Sequence, residues 1–215
     1  MPDAELINPQ GTPESSIAER TVRKRPKPGE RRVQILQALA TMLEQPGAER
    51  ITTAALAARL EVSEAALYRH FASKAQMFEG LIEFIEQSVF TLVNQITERE
   101  TDGATQAAKI AAMLLQFAEK NPGMTRVMVG DALVYENERL QARMNQFFDK
   151  IESAVRQGLR SAAEAAQSPT PTVQAQIKAS VLTAFIVGSM QRFARSGFRR
   201  SPTEHLEASL RTVLG

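Results

Sequence analysis

From Arg31 onward, apolar residues return at steps of three and four, and the period persists almost to the end of the chain. Val33, Leu36, Leu39, Ala40 and Leu43 line one side of a first helix, which Pro46-Gly47 is expected to end. Thr52 is placed to cap a second, short helix through Leu60, with Leu56 and Leu60 turned inward; Ser63 then caps a third that runs to Phe71. Ser73-Lys74-Ala75-Gln76 has the S-x-x-Q form of a capping box, so a fourth helix begins there. Phe78, Leu81, Ile85, Val89, Leu92 and Ile96 hold one stripe up to a break at Thr101-Asp102-Gly103. Met77, Ile82, Phe84 and Phe90 lie off that stripe, the mark of a helix covered on more than one side.

The rest of the chain continues the same rhythm. An Ala-rich helix spans Ala104 to Lys120 and stops at Asn121-Pro122-Gly123, and a short one follows around Thr125–Val134. A long helix from Glu138 to about Ala166 carries Leu140, Met144, Phe147, Ile151, Val155 and Leu159 on one face. Beyond the linker Ser168-Pro169-Thr170-Pro171, a helix from Val173 to Ser196 bears Ile177, Val181, Phe185 and Gly188, with Gly197 as its C-cap. Ser201-Pro202-Thr203-Glu204 reads as a capping box opening the last helix. No β alternation is found, so the expectation is an all-α protein of about nine helices. The late helices have wide apolar faces and small residues at Ala184 and Gly188, which suits packing against a second copy as well as within one chain.

Composition and charge narrow the chemistry. Among 215 residues there is no Cys and only two His (His70 and His205), which excludes a disulfide framework, a Cys-based zinc site and a thiol nucleophile, and leaves little for a metal. No cofactor is expected. H-E-x-x-H, G-x-S-x-G and phosphate-binding Gly-rich loops are missing, and Glu83 and Glu86 have no suitable partner nearby in sequence, so the chain does not read as an enzyme. No stretch approaches the roughly 20 apolar residues of a bilayer span and no signal peptide opens the chain, so a cytoplasmic protein without a membrane partner is expected. The net charge of +2 divides unevenly: −4 over residues 1–19, +6 over 20–75 and zero over 76–215. A basic block beside a neutral bulk is the footprint of a polyanion-binding region. Residues 1–30, with five prolines and no period, read as a tail. Its basic end, including Arg23, Lys24 and Arg25, suits an arm that follows phosphates, or a solubilising segment.

Residues 51–74, ITTAALAARLEVSEAALYRHFASK, have the dimensions of a helix-turn-helix: two short helices joined by a tight turn at Glu61-Val62. Leu56, Ala57, Leu60, Val62 and Leu67 supply the apolar joint, with small Ala57 and Ala58 at the crossing. The second helix opens with Ser63, Glu64, Ala65 and Ala66, small enough in the main to enter a major groove, followed by Tyr68, Arg69 and His70. Tyr68, His70 and Lys74 are placed to reach phosphates, and Thr52 and Thr53 sit at a helix start whose N–H groups can receive another.

The run VSEAALYRHFASK resembles the recognition helix of the TetR family, whose pattern is V-S-x-x-x-L-Y-x-H-F-x-S-K. That resemblance implies a three-helix DNA-binding domain over residues 31–75 and a helical dimerisation domain over 76–215. It makes Thr53, Tyr68, His70 and Lys74 phosphate contacts and puts Ser63 to Ala66 near base edges. Ala72 stands where the pattern often has Pro, a change expected to be harmless.

GLIEFIEQS, FAEKNPGMTRVMVGDALVYENERLQARMNQFFDKIE and MQRFARSGFRRSPTEH are similar to successive segments of the nucleoid occlusion group within that family. The implied protein is a homodimer that binds dispersed palindromic chromosomal sites, contacts the division protein FtsZ and antagonises its polymers. By motif, Phe84, Met113, Gln116, Lys120 and Asn121 would surround a groove for the FtsZ C-terminal tail. Each has a plain structural reading too: Phe84 and Met113 as core, Lys120 as a helix-dipole partner, Asn121 as a C-cap. A ligand-responsive repressor that encloses a small effector is the alternative, although alanines 104, 107, 108, 111 and 112 favour close helix contact over a cavity.

Overall fold

The computed structural model describes residues 29–45 and 51–215. The basic arm at Arg23, Lys24 and Arg25 and the Pro46-Gly47 stop lie outside the described residues. Nine α-helices are seen among the described residues: α1 (Glu30–Leu43), α2 (Thr53–Arg59), α3 (Glu64–Tyr68), α4 (Lys74–Arg99), α5 (Gly103–Lys120), α6 (Pro122–Met128), α7 (Glu138–Ala165), α8 (Pro171–Arg195) and α9 (Leu206–Leu214). A 3-10 turn at Asp131–Leu133 joins α6 to α7.

The side-chain caps explain most of the helix starts. Thr52, Ser63 and Ser73 each accept a hydrogen bond from the backbone N–H three residues on, satisfying a donor that a helix start leaves unpaired. Asp102 does the same for Thr105 at 2.7 Å, and the Thr105 hydroxyl and N–H hold the Asp102 carboxyl below its ordinary range. The box at α4 closes one residue further out than its pattern implies. Gln76 Oε1 accepts from the N–H of Ala72, not from that of Ser73. A proline at position 72 would have no N–H to give, so the alanine there adds a bond.

Three boundaries differ from the sequence reading. Asn121-Pro122-Gly123 ends α5 but does not break the chain's helicity, because Pro122 sits in the first turn of α6, where a missing N–H costs nothing. α3 stops at Tyr68, and residues 69–70 form a turn. Ser201-Pro202-Thr203-Glu204 does not open α9, which begins at Leu206 behind a left-handed His205. The hydroxyls of Ser201 and Thr203 are instead spent on the Glu119 carboxylate of α5, at 2.5 and 2.9 Å.

The core is a continuous apolar cluster running through every helix. All six apolar positions expected on α7 are buried, and α7 packs along α8 and α5. On α1 the stripe is turned from the expected one: Ile35, Leu39, Ala40 and Leu43 are buried, while Val33 is 51% exposed. On α4, Val93 takes the core position expected for Leu92, which is exposed. Ala57 is buried at the α2–α3 crossing but Ala58 is exposed. α8 also corrects the expectation about bilayer spans, since its 25 residues reach a mean hydropathy of 1.2 over an 18-residue window, enough by length and composition to cross a membrane. Its inner side, including Ala175, Ala179, Leu182 and Ile186, is buried in this fold.

The helix-turn-helix head and the helical body share α4, whose first turn contains the boundary expected after residue 75. Gly80 lets that helix lie against Leu36 of α1 and Phe71. A second junction lies between α1 and α6. A Cβ at Gly123 would come within 1.9 Å of the Ala40 carbonyl oxygen, so only glycine permits this backbone approach. Ionic contacts brace α4 against α7: Arg143 makes a bidentate pair with Glu86, and Arg139 meets Glu79 at 2.5 Å. The Glu86 bond, assisted by Glu83 and Glu79, raises the Arg143 pKa further.

Gly123→Ala should therefore destabilise the fold by about 2–3 kcal/mol, because the added methyl meets backbone and not a movable side chain. Chemical unfolding measures this. A change within ±0.5 kcal/mol would show that α1 and α6 are not held together there.

Candidate nucleic-acid interface

The two helices of the motif meet at a turn in which Glu61 adopts a left-handed conformation (φ 54°), allowing the Val62 N–H to return to the Ala57 carbonyl at 3.0 Å. Leu56 and Leu67 are buried on the inner side, with Leu60 and Val62 half-buried beside them. This orientation leaves Ser63, Glu64 and Ala65 exposed at the front of α3 and Ala66 partly so. Tyr68, Arg69 and His70 are exposed beyond it.

Several of the expected DNA-contacting side chains are organised by one another. The Thr53 hydroxyl donates to Glu64 Oε2 at 2.6 Å and lies 3.5 Å from the Tyr68 hydroxyl. The starts of α2 and α3 and the end of α3 thus form one polar chain on a single surface. Thr52 sits at the same edge, exposed, its hydroxyl engaged as the α2 cap.

Lys74 at the start of α4 is paired with Glu136 at 2.5 Å and stands 5.7 Å from the centre of the Phe78 ring. Glu136, in the turn before α7, is 62 residues away in sequence, and nothing in the local pattern marks it. Arg32 was not singled out either. Its guanidinium stacks 4.1 Å from the Phe71 ring and donates to the His70 carbonyl at 2.8 Å, tying α1 to the end of the motif. An N-terminal arginine in a helix that follows a basic run gives no sequence sign of that job.

The other residues singled out in the sequence lie on α4, on α5 and at the end of α5. Phe84 is 47% exposed, which sets aside its reading as core. Met113, Gln116 and Lys120 are spaced three and four apart on α5 and so share one strip of it; Met113 is half-buried and the other two are exposed. Asn121 does act as a cap, its side-chain N–H donating to the Phe117 carbonyl at 2.8 Å.

Comparisons with known proteins agree with this organisation. Residues 35–81 match the model described as "Bacterial regulatory proteins, tetR family", and residues 101–214 match "Tetracyclin repressor-like, C-terminal domain". The chain is 51% identical over 178 residues to the nucleoid occlusion factor SlmA of Idiomarina loihiensis, covering 83% of this chain and 90% of that one. Over 181 residues it is 52% identical to the SlmA of Aliivibrio fischeri, covering 84% and 92%. A TetR-family transcriptional regulator from Bordetella parapertussis shares the fold with a TM-score of 0.68 at 17% identity, over 86% of this chain and 95% of that one. The transcriptional regulator FadR of Bacillus subtilis, solved with stearoyl-CoA, superposes with a TM-score of 0.66 at 11% identity, over 85% and 97%. With about half of the aligned residues identical to those relatives across nine-tenths of their length, the chain belongs to the SlmA nucleoid occlusion factors of the TetR family of DNA-binding regulators.

Proposed function

We propose that this protein is a nucleoid-associated, cytoplasmic inhibitor of cell division that binds dispersed palindromic sites as a dimer and, on the DNA, holds the C-terminal tail of FtsZ to antagonise its polymers. The observation that carries the reading is the identity to SlmA proteins over nearly their whole length. On this reading the chain divides into a tail over residues 1–30, a DNA-binding head over 31–75 and a body over 76–215. The body's role is to form the dimer and to present the partner site.

The DNA contacts follow from the head. Ser63, Glu64, Ala65 and Ala66 enter the major groove, where Glu64 can accept from a cytosine amino group once Thr53 turns to a phosphate. Thr52, Thr53, Tyr68, Arg69, His70 and Lys74 line the groove walls and take phosphates, with Arg23, Lys24 and Arg25 following the backbone beyond. Lys74 would exchange Glu136 for a phosphate oxygen.

The dimer face is the outer stripe of α8. Val173, Ile177 and Val181 are 58%, 59% and 50% exposed, and Ala184 and Gly188 continue their line. A Cβ on Gly188 would meet nothing in this chain, so its small size serves something outside it. Two copies crossing there would form a four-helix bundle with α7. The tail site is the surface around Phe84, Met113, Gln116, Lys120 and Asn121, an apolar patch with a basic edge that suits a short peptide bearing apolar and acidic groups. Solved relatives with small effectors are similar only at the level of fold, and the effector-responsive alternative has no comparable support.

A chromosome-wide map of the tagged protein tests the whole: many dispersed sites depleted around the terminus support it, and one or two promoter sites would replace it with a local repressor. Tyr68→Ala and Lys74→Ala should each weaken binding to every duplex, and Lys74→Ala alone should also flatten the log–log salt slope by about one unit; filter binding across a salt series reads both. Ile177→Asp should sediment as a single chain and lose most DNA affinity, since one head then binds alone; a stable dimer would move the interface elsewhere. Phe84→Ala should leave the melting temperature and DNA affinity nearly unchanged while weakening the tail peptide by about tenfold or more. Unchanged peptide affinity in fluorescence anisotropy would remove Phe84 from the site.

A further inference from the structure

The end of α8 and the segment that follows it are unusually basic. Arg192, Arg195, Arg199 and Arg200 fall within nine residues, and all four are exposed. Among the described residues the only carboxylate within ion-pair distance of any of them is Glu204, 3.7 Å from Arg200, and both of those side chains are more than half exposed. Unlike the arginines that brace α7 against α4, these are not consumed by the fold.

The segment is also rigidly placed. Ser196 Oγ accepts the N–H groups of Arg199 and Arg200 at 3.1 and 2.9 Å, and Arg199 Nε donates to the Ser196 carbonyl at 3.0 Å. Phe198, left-handed at φ 63°, packs edge-on against Phe193 at 5.2 Å. Ser201 and Thr203 then bind both oxygens of Glu119. That anchor positions the segment on α5. Going around the α5 axis, Ala112 and Glu119 form the edge covered by residues 203–206, and Gln116 and Lys120 are the next exposed positions beside it. The arginine segment is therefore one bank of the strip that carries Gln116 and Lys120, and an open depression of about 740 Å³ bordered by Arg199, Arg200 and Glu204 lies on that bank.

We propose that Arg199 and Arg200 form a second, electrostatic part of the peptide site, holding acidic residues of the same tail whose apolar centre rests near Phe84 and Met113. The assignment rests on the tail-binding reading above. Charge complementarity selects the occupant: Lys120 and the four exposed guanidinium groups of residues 192–200 outnumber the two nearby carboxylates, Glu119, whose oxygens are taken by Ser201 and Thr203, and Glu204, 3.7 Å from Arg200. An apolar centre would set where the peptide lies, while the arginines set which peptides are drawn in and how fast.

The test uses full-length protein, a labelled FtsZ C-terminal tail peptide, and a copy with asparagines in place of its aspartates. At low salt, R199A/R200A should bind the aspartate peptide about 5–10-fold more weakly than the unaltered protein. The asparagine copy and duplex DNA should be bound equally by both proteins. R199K/R200K should restore most of the loss, which a merely structural role of the guanidinium bonds to Ser196 would not allow. If R199A/R200A binds the aspartate peptide normally while Phe84→Ala does not, the arginine site is wrong and the apolar site stands. Should the double variant lose DNA and keep the peptide, the segment is a phosphate contact and the proposal falls. If the unaltered protein binds neither peptide, the tail-binding reading fails and carries this one with it.

Discussion

The arrangement of the molecule depends on how closely two backbones can approach. Gly123 in α6 presses against the carbonyl of Ala40 in α1, at a separation that a single methyl group would close to 1.9 Å. Around that point Arg126 reaches the carbonyl oxygens of Leu43 and Gln45, while Gly80 seats α4 on Leu36 and Phe71. The head is thus joined to the body in two places, by the continuous α4 and by the α1–α6 crossing. Two attachments remove the swivel that a single helical connection would leave. The strip near Lys120 and Asn121 immediately precedes one of them, so the proposed partner site adjoins the α1–α6 crossing with no loop between.

Much of this was legible in the sequence, for identifiable reasons. The α7 stripe from Leu140 to Leu159 held because a long helix buried on one side has a single apolar face, and period alone locates it. Thr52, Ser63 and Ser73 were found because capping is local chemistry, with donor and acceptor three residues apart. The helix-turn-helix combined both kinds of signal in a span of about two dozen residues. Of its expected joint, Leu56, Ala57 and Leu67 are buried and Leu60 and Val62 half-buried.

What escaped was set by distant partners. Val33 sits on a favourable stripe, yet α1 is rotated by its neighbours so that Ile35 takes the core position. The Ser201–Glu204 box was a sound local pattern that lost to a carboxylate more than 80 residues away, because Glu119 offers the Ser201 and Thr203 hydroxyls charged acceptors. Lys74 illustrates the same limit at the candidate site. Its place in the motif was readable, but its partner Glu136 belongs to a turn that only the tertiary fold brings near. The exposure of Phe84 could be suspected from its position off the stripe and could be decided only once every neighbour of α4 was in place.

The stiffness of α4 has a consequence for the DNA as well as for the protein. A helix of 26 residues rises about 39 Å, running from the head deep into the body without a glycine or proline beyond its second turn. In a dimer of such chains, each head keeps a fixed bearing relative to the twofold axis, so an ill-spaced pair of half-sites cannot be met by bending the protein. One extra base pair between half-sites advances the second by about 3.4 Å and rotates it by about a tenth of a turn, and the duplex itself must then twist or bend to compensate. Such a dimer would act as a caliper, with the energy of deforming DNA as the scale on which one site would be told from another.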